Sequence, residues 1–239
     1  MNDQTLFNRF AAIAAFLAAP VGLASIVLIA LAVDFNLDEA SNFTDMITLG
    51  AAGAGPLHLA WVITDFFGTL LLAPAALYLW LWLKPRSPNL VTLWTLFGFA
   101  YLLTAAIVLS FVGAVVPTLM RAIETASGPE QDVLLVVLTA LFEMLYNGGG
   151  SLVYFFAGIW WLGTGAVLVH ERRILGIVTM ILGVCGLGVW VYQAFRVEAL
   201  VFFEEAIFYL TYIWAAWLGI TIWRRDEKSV PVLEGAATA

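Results

Sequence analysis

The amino-acid sequence predicts an all-α fold. It is a polytopic membrane helical bundle of six transmembrane helices, with a re-entrant or outer-leaflet helix over about residues 129–147. Three observations carry this reading. Of 239 residues, 63% are apolar and 11% charged, against roughly half and about a quarter in ordinary globular chains. With a mean hydropathy of +0.97, no soluble fold of this size could hide so much apolar surface. The apolar residues also collect into six runs, 7–33, 57–83, 90–117, 151–169, 174–194 and 200–223, each near or above the ~20 residues that cross a bilayer as a helix. Finally, the runs do not alternate apolar and polar positions, as membrane strands would.

Taken in order, the first run contains an Ala30-Leu31-Ala32 segment resembling a signal-peptide cleavage site. Its apolar stretch is too long for a signal peptide, and Arg9 offsets only Asp3, so a retained span is expected. Residues 34–56 read as an external loop. Pro20, Pro74 and Pro117 are expected to kink the first three helices. Ser127-Gly128-Pro129 is a helix start. The stretch from Val133 to Tyr146 is apolar on every side, which implies burial in protein or lipid. Asn147-Gly148-Gly149-Gly150 reads as a break after it. A seventh full span here would push Arg172 and Arg173 outside, so 129–147 is expected to be re-entrant, interfacial or an outer cap. In the fifth run, Gly183 and Gly186 are expected to face a neighbouring helix, because small residues permit close approach in lipid. The whole chain, 1–239, reads as one transmembrane domain ending in a flexible cytoplasmic tail at 229–239.

Charge sets the orientation. With six spans, Arg9, Lys84, Arg86, Arg172, Arg173, Arg224, Arg225 and Lys228 fall on one face, and only Arg121 and Arg196 on the other. This positive-inside bias predicts cytoplasmic termini. Trp80, Trp82, Trp94 and Trp223 lie at the same boundary, where an amphipathic indole is favoured.

Several chemistries are excluded. A net charge of −7 argues against a nucleic-acid partner. A single cysteine, Cys185, rules out an internal disulfide, a CxxC pair and a cysteine-based zinc site. No lysine lies within a span to carry a retinal Schiff base, and His58 and His170 fall on opposite membrane faces, unable to share a haem iron. There is no GxxxxGK loop and no HExxH. Gly149-Gly150-Ser151 has no histidine base at matching depth, and Glu204-Glu205 lacks the following arginine of paired-glutamate intramembrane proteases. No cofactor is expected, and an enzyme is the weaker expectation.

What remains is a set of acids in or beside the spans: Asp65, Glu143, Glu204 and Glu205. Ionisable groups in a membrane are costly and face the bundle interior or a wet cavity. Steps of three and four residues put His58, Val62, Asp65 and Thr69 in one stripe and Glu205, Tyr209 and Tyr212 in another. Glu143 and Asn147 form a third, facing Ser151 and Tyr154 across the break, with Tyr192, Gln193 and Arg196 nearby. The expected site is an outward-facing pocket of Asp65, Glu205, Glu143, Tyr209, Tyr212, His58 and Arg196. Its carboxylates and phenols suit a small cation, an amine or an amphipathic molecule. The competing reading is an interfacial network in which Arg196 pairs with Glu198 or Glu204.

The external acidic loop, the Lys84-Pro85-Arg86-Ser87-Pro88 turn, the Gly148–Gly150 run, the His170–Arg173 turn and a glutamate before Trp217 and Gly219 resemble a bacterial family of six-span membrane proteins that carry a domain of unknown function. The family has proline after the arginine turn where this chain has Ile174-Leu175. The resemblance implies a topology and no site. Three function classes follow: a binding or transport protein, an accessory subunit of a larger membrane complex or homo-oligomer, and, ranked last, a lipid-modifying enzyme. Membrane lipids are partners in each.

Overall fold

The computed structural model describes residues 3–35 and 50–229, apart from the side chains of residues 51, 63, 64, 146, 205 and 226–229. The expected tail at 230–239 and residues 36–49 of the expected external loop lie outside the described residues. Every regular element among the described residues is helical. Six helical segments are long and apolar enough to cross a membrane: Asp3–Ala32, Ala52–Leu83, Pro88–Thr125, Pro129–Leu168, Arg173–Phe195 and Glu198–Arg225. They are spans one to six of an integral membrane protein.

Prolines start two of them. Ser87 is extended (φ −151°, ψ 80°) and Pro88 takes the first helical position of span three, where its missing N–H costs no intrahelical bond. At the other end of this span, Ala126 is extended (φ −81°, ψ 161°) and Gly128 has φ 61°. The chain thus reverses within a few residues and restarts at Pro129. Span five ends at Arg196, which adopts the left-handed conformation (φ 55°, ψ 41°) usually given to glycine at this position.

The helices extend further than their apolar runs. The third span continues to Thr125, beyond the apolar limit at residue 117, and the second begins within the expected loop as a helix, Gly50–His58. The segment 129–147 differs more. It is not re-entrant: the helix Pro129–Phe142 runs through a π-helical stretch, Glu143–Gly149, into Gly150–Leu168. The glycines expected to break it stay helical, Gly149 at φ −67°, ψ −43°. A π stretch adds one residue to a turn without reversing the chain. The segment is an extension of span four on the side away from the basic face. Only one stripe of its apolar surface, Leu138 and Phe142, is buried, in a cluster with Val116, Met120 and Ile123 of span three.

Spans four and five pack most closely. A Cβ on Gly183 would stand 2.5 Å from the Leu162 nitrogen and 2.9 Å from the Gly158 oxygen, and one on Gly186 3.1 Å from the Gly158 Cα. Both glycines therefore face a neighbouring helix. In lipid, where water exclusion does not drive helices together, such backbone approach supplies the contact.

The core divides in two. One cluster, towards the basic face, is built on Trp160, Trp161, Trp214, Leu79, Leu168 and Leu218. The other, towards the opposite face, is built on Leu57, Trp61, Val112, Val116, Met120 and Leu138. Val153 packs against both. On the basic face, Arg86 pairs with Glu171 across two short turns. Lys84 lies 4.4 Å from the centre of the Trp80 ring and Arg225 4.2 Å from that of Trp82.

Candidate functional site

Span two is not one regular helix. Its helix Gly50–His58 passes into a π-helical stretch, Leu59–Phe66, then a short helix Phe67–Leu70, a turn, and the helix Ala73–Leu83 with Pro74 in its first turn. Pro74 has no N–H for the Leu70 carbonyl. Irregular backbone at membrane depth survives only where protein covers it or a cavity adjoins it. Here both hold. Gly68 faces span one, where a Cβ would lie 3.6 Å from Val21 Cγ1 and 3.9 Å from the Gly22 nitrogen. Gly113 of span three lies against Trp61 and Val62.

Asp65 sits on this irregular stretch, about 27 Å along the helix from Leu83 and about 20 Å from Ala52 at ~1.5 Å per residue. It lines a cavity of about 240 Å³ at the seam between the two core clusters, to which all six spans contribute. Span two gives Trp61, Asp65 and Thr69, and span three gives Tyr101, Ala105 and Val112. Span four adds Gly150, Tyr154 and Trp161, and span five Gln193. Phe208, Thr211 and Tyr212 come from span six, and Ala18 and Ile29 from span one. No lysine, arginine or histidine is among the lining residues.

Polar atoms around this cavity lack partners among the described residues. Asp65 Oδ1, Gln193 Oε1 and Trp161 Nε1 are buried and make no hydrogen bond; the buried hydroxyl of Ser25 on span one stands beside the Asp65 carboxyl as a potential donor to it. A buried polar atom without a partner costs free energy comparable to a lost hydrogen bond. Two of these atoms are acceptors, and the indole N–H is a donor only. A ligand or water bearing both kinds of group would satisfy them.

The walls are aromatic and held rigidly. Tyr101 stacks on Trp160 at 5.9 Å and meets Trp161 at 5.5 Å. Trp214 stands edge-on to Trp160 and Trp161 at 6.0 Å and donates its indole N–H to Thr179 Oγ1 at 2.8 Å. Tyr212 is seated by a gap: its ring occupies the volume that a Cβ on Gly22 would fill.

Of the residues expected at the site, Asp65 and Tyr212 line the cavity, together with Tyr154 and Gln193 from the neighbouring stripes. His58 does not. Its Nδ1 donates to the Gly113 carbonyl at 2.6 Å, tying span two to span three. The π stretch accounts for the shift: its wider turn rotates the helix, so the cavity stripe is Trp61, Asp65, Thr69 rather than His58, Val62, Asp65. Tyr209 is 52% exposed and is not among the lining residues. Glu143 and Arg196 lie apart from the cavity. Arg196 Nη2 donates to Glu143 Oε2 at 2.6 Å, and Asn147 Nδ2 to the same oxygen at 2.7 Å. Arg196 thus pairs with span four, not with Glu198 or Glu204. The Glu205 side chain lies outside the described residues. Its neighbour Glu204 accepts a 3.1 Å bond from Gln193 Nε2 of the cavity wall.

Trp61, Tyr101, Trp161 and Phe208 are lining residues that the sequence reading did not single out. A signal existed for one of them: Tyr101, Ala105, Val108 and Val112 follow helical steps of four, three and four. Trp61 is four residues before Asp65, but carries no mark that separates it from other aromatic residues of the spans. No group of three or more potential metal ligands occurs among the described residues.

No protein-family model matches the chain, and no curated protein or solved structure is significantly similar to it.

The cavity predicts a contrast between two buried alanines. Ala105 lines it at 4% exposure, whereas Ala75 is 0% exposed in solid core. Ala105→Leu should leave thermal stability in detergent unchanged or raise it. Ala75→Leu should cost about 1–3 kcal/mol by overpacking. Equal losses from both would mean that the space beside Asp65 is not there.

Proposed function

We propose that this integral membrane protein binds a small amphipathic organic cation, an amine, in the cavity at the centre of its six spans. Asp65 is the counter-ion, and the rings of Trp61, Tyr101, Tyr154 and Tyr212 form the walls. The observation that carries the reading is a buried carboxylate with an unpartnered oxygen, in a cavity with no basic residue in its lining. A carboxylate at membrane depth needs water, a proton or a positive partner beside it. Aromatic faces attract the same kind of ligand, because the ring quadrupole presents negative charge to a cation. Gln193 Oε1 would accept a hydrogen bond from the ligand, and the Trp161 indole would donate one.

Transport is the natural extension of this reading. Gln193 lines the cavity and bonds Glu204, and the Arg196–Glu143 pair stands beyond it. These groups give the cavity a polar side facing away from the basic residues. The positive-inside rule supports cytoplasmic termini, and the resemblance in layout supports a bacterial inner membrane. A second reading, an accessory subunit, is favoured by the outer extension of span four, where Val133 and Val136 are 61% and 69% exposed.

A ligand series of constant shape tests the charge requirement. Titration of the purified protein by calorimetry should show benzylamine binding, benzyl alcohol binding far more weakly and benzoate not binding. Asp65→Asn should weaken benzylamine about thirtyfold or more, about 2 kcal/mol, while Tyr209→Phe should change it less than about twofold. Equal binding of amine and alcohol would sink the cation reading.

The orientation has its own test. Ser127→Cys, in a Cys185→Ser background, should react with a membrane-impermeant maleimide on intact cells. Reaction only after the membrane is opened would reverse the topology.

A further inference from the structure

The side chain of Gln193 is oriented by its neighbour on span six. Its Nε2 donates to Glu204 at 3.1 Å. A carboxylate only accepts, so the amide nitrogen faces Glu204 and the amide oxygen is turned away from it. That oxygen points to Gly150 of span four, where a Cβ would stand 3.2 Å from Oε1. Gln193 and Gly150 both line the Asp65 cavity. Gln193 is 5% exposed, and its Oε1 has no hydrogen-bond partner among the described residues. The cavity wall therefore carries a fixed acceptor here.

Asp65 lies at a different depth. Glu204 marks the Gln193 end on span six, and Tyr212, eight residues later, lines the cavity about 12 Å further along the helix, at ~1.5 Å per residue. The Tyr212 ring lies against Gly22. Ser25, about one turn from Gly22 towards the Gln193 end, stands beside the Asp65 carboxyl. Asp65 and Gln193 are thus separated by about 8–12 Å along the bundle. Between these depths, Val153 of span four and Ile207 and Phe208 of span six line the cavity. The order along the cavity is a buried carboxylate, an apolar middle and a fixed acceptor.

We propose that the bound amine carries a hydroxyl at the end opposite its ammonium group, and that Gln193 selects for it. The ligand class is a hydroxyarylalkylamine. Its ammonium lies at Asp65, its ring against Val153 and Phe208, and its phenolic hydroxyl donates to Gln193 Oε1. The proposal rests on the reading of the cavity as an amine site and adds the polarity of its far end. Glu204 acts through Gln193 as a positioning residue. An amine without the hydroxyl leaves a buried acceptor unpaired, and sites built to bond a hydroxyl discriminate strongly against analogues that lack one. An ether oxygen in the same place is worse, since it can only accept and would face another acceptor.

Three ligands of one shape test this by calorimetry on the purified full chain: phenethylamine, tyramine with its para-hydroxyl, and 4-methoxyphenethylamine with an acceptor only. Wild type should bind tyramine at least about tenfold tighter than phenethylamine, and 4-methoxyphenethylamine more weakly than either. Gln193→Met keeps the length of the side chain and removes the acceptor. Tyramine's advantage should then fall to within about twofold, while phenethylamine stays within about threefold of its wild-type affinity. Glu204→Gln keeps the shape of the contact but lets either end of the Gln193 amide face the cavity. It should bring tyramine and 4-methoxyphenethylamine to within about threefold of each other, an effect that loss of packing alone would not produce. Phenethylamine binding with no gain for tyramine would overturn this inference and leave the amine site standing. No binding of any of the three would remove the amine site itself, and this inference with it. A tyramine advantage that survives Gln193→Met would place the hydroxyl against another residue and overturn the assignment to Gln193. If a variant does not fold, the wild-type series alone decides.

Discussion

A carboxylate at the depth of Asp65 constrains everything around it. In hydrocarbon it would be costly, and unpaired backbone groups beside it would be equally so. The chain meets both demands with the same device. Span two becomes irregular where Asp65 sits, through the π-helical stretch Leu59–Phe66 and the interruption before Pro74. Spans one, three, four and six close around that irregular stretch, leaving a cavity and not lipid beside the carboxylate. Departures from regular helix geometry often accompany function. Here the departure and the ionisable residue coincide.

Glycine and aromatic residues shape the enclosure together. Gly22 leaves room for the Tyr212 ring, and Gly98 leaves room for Trp160, which stacks on Tyr101. Large rings on one helix are matched with missing side chains on the next. This lets the helices approach while the rings project towards the centre. The Gly158–Gly183–Gly186 contact between spans four and five is the extreme of the same pattern, with backbone against backbone. The two apolar clusters then fill the bundle above and below the cavity, which survives because Asp65, Gln193 and the phenols prevent a purely apolar collapse.

Much of this was legible in the chain itself. Runs of apolar residues near the ~20-residue bilayer length mark six helices, and membrane cost marks Asp65 together with Glu143, Glu204 and Glu205. Local backbone geometry was less legible. Asn147-Gly148-Gly149-Gly150 has the composition of a break, yet in this fold it remains helical, and span four runs through it. Gly149 lies against Val108 of span three and Gly150 against Gln193 of span five, so here the missing side chains admit neighbouring ones instead of ending the helix. The π stretch of span two left no mark in composition either, and it turns His58 away to bond the Gly113 carbonyl while bringing Trp61 onto the cavity side. Pairing across spans was the least legible. Nothing in sequence spacing connects Arg196 with Glu143, 53 residues away, rather than with the nearer Glu198. Likewise, Tyr101 and Trp161 become recognisable as cavity residues only once the helices are assembled.

The claim on which the functional account rests is that Asp65 holds the charge of a bound amine directly. Solid-state NMR can measure this as the dipolar coupling between the nitrogen of ¹⁵N-benzylamine and ¹³C-labelled aspartate carboxyl carbons, with the protein in lipid bilayers. The account predicts a coupling consistent with an ion pair, lost in Asp65→Asn. A coupling that persists in that variant, or none in the wild-type complex, would contradict it.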